Sequence, residues 1–211
     1  MKSLIRFLNG FAKVTGFPVQ YCCFRTKVSY KDRAVQGRGI RGPAIIVSNH
    51  TSVYDYAVWI FVFYGRTLRV PMAEVLFEKQ PLGAFLKAMG GIKIDRNSHT
   101  LAGLDECADV ISDGGTVLIF PEGRIPRKEE ERPLEFRSGA AALALATGAP
   151  VIPVYTNGSY FGRKRARVAI GTPVFAADLA DESAGDAENL RLVSAKLKDL
   201  VSELRPLTEA E

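Results

Sequence analysis

Cysteine is scarce in this chain: Cys22, Cys23 and Cys107 are the only three in 211 residues, and they form no CxxC pair. Three thiols cannot all pair, so a disulfide-built scaffold is excluded and a reducing interior is favoured. Long hydrophobic runs are missing as well. The longest, Ala57 to Tyr64, has eight residues, far short of the ~18–20 that a membrane-spanning helix needs. It reads as a buried element, and a multi-span membrane protein is excluded. The N-terminus shows neither the long apolar core nor the small-residue cleavage site of a secretory signal. Internal repeats and low-complexity linkers are absent too. What is present is an ordinary folded composition, 47% hydrophobic and 24% charged in 23.1 kDa, which fits one domain with at most small appendages.

Charge is unevenly placed. Residues 1 to 41 carry nine basic side chains against Asp32 alone, a local +8, so the other 170 residues hold −3 of the net +5. A basic end on a mildly acidic body fits an anionic partner such as a membrane surface, a nucleic acid or a phosphorylated substrate. Within that end, Leu4, Ile5, Leu8, Phe11, Ala12 and Thr15 recur at helical spacing, while Lys2, Arg6 and Lys13 lie off their face. The pattern predicts a basic amphipathic helix over residues 1 to 15 that rests on anionic lipid. The competing reading is that the same face docks on the domain's own core. The expected division is a membrane-contacting segment over 1–20 and a single domain over 21–211.

Further along, short apolar runs alternate with helical patterns. Strands are expected at Ala44–Ser48, Leu68–Met72, Ile92–Asp95, Thr116–Phe120, Val151–Tyr155 and Arg167–Gly171, with helices over 52–64, 77–88, 101–112, 138–147 and 187–204. Such alternation predicts an α/β fold with a mixed, mostly parallel central sheet flanked by helices.

Four segments at predicted strand edges carry polar chemistry or its frame. Asn49-His50-Thr-Ser-Val-Tyr-Asp55 follows a strand and opens a helix. Asp55 is placed to hold one imidazole nitrogen of His50 and leave the other as a base; the plainer alternative is a carboxylate complementing a helix N-terminus. Phe120-Pro-Glu-Gly-Arg124 also ends a strand, exposing Glu122 and Arg124 at the carboxyl edge where open α/β sheets bind ligands. An arginine there offers a fork for phosphate oxygens; the alternative is a Glu–Arg pair holding a turn. Gly90 to Arg96 ends in Asp95-Arg96, and Lys93 and Arg96 add positive charge to that edge. Val151-Ile-Pro-Val154 carries no reactive group and reads as core.

In this order, the four segments resemble the glycerolipid acyltransferase family, typified by 1-acylglycerol-3-phosphate acyltransferase. Asn49, His50 and Asp55 match its N-H-x-x-x-x-D motif, and Gly90 to Arg96 its glycine-rich stretch ending in arginine. Phe120 to Arg124 match F-P-E-G followed by arginine, Val151 to Val154 match V-I-P-V, and Phe136-Arg-Ser-Gly139 matches F-[KR]-x-G. The likeness runs from about residue 40 to 175. Here Arg124 follows Gly123 directly, where relatives place a threonine or glycine between them, and Arg127 falls where a second arginine often sits.

The resemblance implies O-acyl transfer from a thioester, acyl-CoA or acyl carrier protein, to a hydroxyl of a lysophospholipid such as 1-acylglycerol-3-phosphate, with no bound cofactor or metal. It implies His50 and Asp55 as catalytic residues, and Glu122, Gly123, Arg124, Arg96, Arg127 and Arg137 around the acceptor. Glu122 is expected to orient an arginine or a glycerol hydroxyl. Other acceptors, namely lysophosphatidylethanolamine, glycerol 3-phosphate or an amine-bearing lipid, stay open because a fold does not choose its substrate. The expected location is the cytoplasmic face of a membrane, peripheral or monotopic. Cys22, Cys23 and Cys107 sit in no setting that would activate a nucleophilic thiol. The basic Arg163 to Arg167 run lacks the interleaved aromatics of a nucleic-acid surface, so no nucleic acid is expected as a partner.

Overall fold

The computed structural model describes residues 2–94, 104–161 and 165–209. The six expected strands and one more form a seven-stranded sheet: β1 (Lys27–Tyr30), β2 (Ala44–Ser48), β3 (Leu68–Ala73), β4 (Gly91–Ile94), β5 (Thr116–Ile119), β6 (Val151–Thr156) and β7 (Arg167–Ile170). Their order is β1-β7-β6-β2-β5-β3-β4. Neighbours are parallel except β6 and β7, so β1 and β7 run against the other five. The sheet is therefore mixed and mostly parallel, as the alternating pattern predicts. β2 and β6 are buried at every position, which is why they read as continuous apolar runs.

Helices cover both faces. Among the described residues they are α1 (Lys2–Val19), α2 (Asp55–Val62), α3 (Val75–Glu78), α4 (Leu82–Ala88), α5 (Leu104–Ser112), α6 (Gly139–Thr147), α7 (Asp186–Ser202) and α8 (Pro206–Glu209). Pro81 divides the helix expected over 77–88, since it lacks the N–H that a continuous helix would use. One core is built from Ile45, Val47, Val117, Ile119 and Val151 against α5, α6 and α7. The other joins Ile46, Leu118, Ile152 and Val154 to Val58, Trp59 and Val62 of α2. Successive strand residues alternate between the two, as the pleat requires. Strand β1 was not foreseen: its Lys-Val-Ser-Tyr sequence has no apolar run, and pairing with β7 creates it.

The first helix is longer than expected, and its predicted apolar face is divided between core and solvent. It runs to Val19 and continues as a five-residue π-helix, Gln20–Phe24. Its inward face contains Ile5, Asn9 and Lys13, all buried. Asn9 donates to the Met89 carbonyl at 2.8 Å, and Lys13 Nζ donates to the carbonyls of Tyr64 and Arg66 at 2.8 and 2.6 Å. These carbonyls lie just beyond the end of α2, where backbone acceptors outrun helical donors. Gly16 sits against the Phe61 ring, with a built Cβ only 3.0 Å from Cζ. The outward face carries Leu4, Phe7, Phe11, Val14 and Phe17, each more than half exposed. The predicted face of Leu4, Ile5, Leu8 and Phe11 is thus split between the two sides, and Lys13, expected on the solvated basic side, is 4% exposed.

Candidate active site

Three loops leave the carboxyl ends of the adjacent strands β6, β2 and β5, and their polar groups converge. Strand β2 ends at Ser48, and Asn49 and His50 follow it. Trp59 of α2 donates its indole N–H to Ser48 Oγ at 2.9 Å, pinning the helix that carries Asp55 to the strand that leads into His50. Asn49 takes the place of a ladder partner. Its Oδ1 accepts from Thr156 N at 2.8 Å, and its Nδ2 donates to Thr156 O at 2.9 Å, so the β2 loop is fixed against the end of β6.

His50 comes next. Its Nδ1 lies 2.8 Å from Asp55 Oδ2. Asp55 is 0% exposed and is held from several directions. Oδ2 also accepts from Thr51 N at 2.6 Å and Ser52 N at 2.9 Å. Oδ1 accepts from Thr51 Oγ1 at 2.7 Å and Tyr160 O–H at 2.6 Å. A carboxylate is an acceptor at both oxygens, which suits it to this set of donors. It assigns the proton of His50 to Nδ1 and leaves Nε2 with no hydrogen bond from any described residue. Phe120, the first residue of the second loop, stacks on the imidazole with ring centroids 4.4 Å apart.

Glu122 is 3% exposed. Its Oε1 accepts from the backbone N–H of His50 at 2.6 Å and its Oε2 from that of Leu134 at 3.0 Å. Burial pushes its carboxyl above the ordinary range, while those two backbone bonds pull the other way. Both oxygens therefore brace loops through backbone N–H groups, where the sequence leads us to expect an arginine or a glycerol hydroxyl as partner. The brace crosses from β5 to β2, adjacent strands whose register places Ile119 beside Val47.

Gly123 has φ +72, and a Cβ there would lie 2.7 Å from Arg137 Nε. Only glycine accepts both the left-handed backbone and the guanidinium lying over it. Arg137 reaches this position because its own N–H donates to Pro121 O at 2.9 Å, tying the start of α6 to the same loop. Arg124 is directed elsewhere. Its fork grips Glu130, Nη1 to Oε2 at 2.7 Å and Nη2 to Oε1 at 2.5 Å. The Arg127 backbone N–H donates to Glu130 Oε2 at 2.6 Å. The Arg124 contact and the Arg127 N–H hold the Glu130 carboxyl down at about 2. Lys93 pairs with Glu74, and Arg96 lies outside the described residues. Of the expected residues, His50, Asp55, Glu122, Gly123 and Arg137 are thus brought together, while Arg124 and Arg127 belong to a loop organised by Glu130. Burial pushes the Cys107 thiol up to about 12, the opposite of what a nucleophile needs.

Tyr160 and Thr51 were not foreseen. Tyr160 lies on the Asn157-Gly158-Ser-Tyr loop after β6, beside β2, and this placement is the signal that marks it. Gly158, at φ +68, lets this loop close on Thr51, whose Oγ1 would be 2.6 Å from a built Cβ.

The mostly parallel α/β sheet carries a histidine–carboxylate pair at its carboxyl edge, the edge at which open α/β sheets bind ligands, and an imidazole held in this way is of the type that can serve as a base. The comparisons give the family. The model described as Acyltransferase matches residues 25–157, which include the pair and the Phe120–Arg124 loop, and the chain belongs to that family. It is 27% identical over 168 residues to a chloroplastic 1-acyl-sn-glycerol-3-phosphate acyltransferase of Brassica napus, covering 72% of this chain and 48% of that one. It is 33% identical over 129 residues to the Pseudomonas aeruginosa 1-acyl-sn-glycerol-3-phosphate acyltransferase, covering 58% and 47%. The chain spans about half the length of these relatives. In fold it resembles the 1-acyl-sn-glycerophosphate acyltransferase PlsC of Thermotoga maritima, with TM-score 0.62 and 20% identity over 95% of this chain and 79% of that one.

Proposed function

We propose that the chain transfers an acyl group from a thioester to the hydroxyl of a phosphate-bearing lysolipid, with 1-acylglycerol 3-phosphate as the first acceptor to test. The observation that carries the proposal is the 2.8 Å contact between His50 Nδ1 and a fully buried Asp55, with Nε2 hydrogen-bonded to none of the described residues. In this reading Nε2 takes the acceptor's proton as its oxygen attacks the thioester carbonyl. The C–S bond then breaks and the thiolate leaves with the electron pair. The donor is already activated, so no acyl-enzyme is required. A base of this kind contributes ~10²–10⁴-fold, and positioning supplies much of the rest. Arg137 over Gly123 is the candidate phosphate ligand we favour among the described arginines, ahead of Arg124, whose fork is held by Glu130.

The acceptor and product are lipids, and no described helix is long and apolar enough to cross a membrane. We therefore assign membrane contact to the outward row of Leu4, Phe7, Phe11, Val14 and Phe17, seated peripherally or monotopically. Apolar residues that protrude in series at helical spacing support this assignment.

The test is to incubate pure protein and lysophospholipid panels with labelled acyl-CoA, and separately with acyl carrier protein thioester, then identify products by mass spectrometry. Transfer lost in a folded His50→Ala variant supports the reading. Its retention there, or no acyl product from any acceptor, overturns it.

A further inference from the structure

We infer that Tyr160 is a positioning residue for the His50–Asp55 pair, its phenol sharing the Asp55 charge and thereby setting how tightly that carboxylate holds the imidazole. The inference rests on the proposed role of His50 as base.

The geometry separates Tyr160 from the other Asp55 partners. His50, Thr51 and Ser52 all lie within five residues of Asp55 and reach it through the local turn that opens α2. Tyr160 comes from 105 residues away, across the β2–β6 pairing. It is also part of a chain of hydroxyls. Tyr160 gives its single proton to Asp55, an acceptor only, so in the 2.9 Å contact with Thr156 Oγ1 the threonine is the donor. Thr156 Oγ1 in turn accepts from Gly158 N at 3.3 Å. A relay pointing one way polarises each of its bonds. The ring is held by an edge contact with Phe24, centroids 5.4 Å apart, so the hydroxyl does not swing away. Burial, and then the Asp55 charge, push the phenol far above its ordinary range, keeping it a donor.

Every donor that shares the carboxylate charge weakens the pull of Asp55 on an imidazolium. Removing the phenol O–H concentrates charge toward His50 Nδ1, so His50 keeps its added proton to higher pH. Among the described residues the next titratable neighbour is Glu122, whose Oε1 accepts the His50 backbone N–H and which the change leaves in place. Phe120, stacked on the ring, is uncharged. No described lysine or arginine hydrogen-bonds either member of the pair.

His50 and His99 are the chain's two histidines, so imidazole-selective NMR of the full chain gives two titrations, assigned with His99→Gln. In Tyr160→Phe the His50 midpoint is expected to rise by about half a pH unit, roughly threefold in the equilibrium. The acidic limb of the kcat/KM profile should move with it. Replacing Tyr160 by 3-fluorotyrosine, a stronger donor of nearly unchanged shape, should shift both in the opposite direction, and it decides the matter if Tyr160→Phe does not fold. A His50 midpoint that stays fixed overturns the inference, as does a uniform loss of activity without a shift, which would mean that Tyr160 only packs. The NMR readout needs no turnover. A shifted midpoint in a protein without acyl transfer therefore upholds the Tyr160 assignment and defeats the functional reading, and transfer without a shift does the reverse.

Discussion

Replacing Glu122 by glutamine separates a brace from a substrate ligand, because the substitution keeps the shape and removes half of the acceptor capacity. In the native chain two backbone N–H groups, from His50 and Leu134, enter one carboxylate that is 3% exposed. Hydrogen bonds to a charged group contribute ~1.5–3 kcal/mol each, and a buried donor left unpaired costs ~1–3 kcal/mol. The glutamine oxygen can serve one of the two N–H groups, and its NH2 then faces the other. Against this, the amide escapes the burial that raises the Glu122 carboxyl above its ordinary 4.5. The net expectation is a loss of about 1–3 kcal/mol, or roughly 2–12 °C in Tm for a domain of this size. Since the folded-state value is raised, the stability linked to Glu122 is full below 4.5 and declines as pH rises through the raised value. The Tm difference between wild type and variant should therefore narrow as pH rises. The assay is a thermal melt from pH 4 to 8 alongside steady-state kinetics. A mispositioned His50 backbone predicts that kcat falls more than the acceptor KM rises. An unchanged Tm with a tenfold higher acceptor KM would refute the brace and make Glu122 a substrate ligand.

Arg137→Ala should raise the KM for a phosphate-bearing acceptor by ~10–150-fold, the loss of one charged hydrogen bond. Arg124→Ala should change it far less, and equal effects in the two variants would return the phosphate to Arg124. Phe7→Asp combined with Phe11→Asp should abolish co-sedimentation with anionic vesicles at unchanged Tm, since both rings are exposed and burying each in lipid is worth ~1.5–3 kcal/mol; persistent binding would remove α1 from the interface. Burial lowers the Lys13 amine to about 8 from 10.5, so the unfolded chain binds the extra proton between those values. Stability should accordingly rise with pH across that window, a slope that Lys13→Met should erase, and a wild-type melt that is flat there would contradict it.

The residues 49–55 show how far local sequence reaches. A strand end, a histidine and an aspartate five positions on are enough to bring Nδ1 to a carboxylate, because the turn opening α2 spans that distance without tertiary help. The strands were legible for a similar reason: β2, β5 and β6 are short apolar runs bounded by turn residues. Helix α1 marks the limit. Its period of 3.6 was clear, yet apolar side chains occupy so much of its circumference that the pattern does not choose an inward side. The choice falls to the carbonyls of Tyr64 and Arg66, which Lys13 satisfies, and to that of Met89, which Asn9 shares with the Tyr56 hydroxyl, so polar residues go in and phenylalanines come out. Glu122, Arg124 and Arg137 divide along the same line. Phe-Pro-Glu-Gly-Arg announces a charged loop at a strand end, but its chemistry depends on which partners the fold supplies. The β2–β5 register delivers the His50 N–H to Glu122, a turn of the exposed loop delivers Glu130 to Arg124, and the start of α6 lays Arg137 over Gly123. Tyr160 reaches Asp55 by the β2–β6 pairing. Within-loop geometry is encoded by neighbours in the chain, whereas contacts across strands exist only once the sheet has its order.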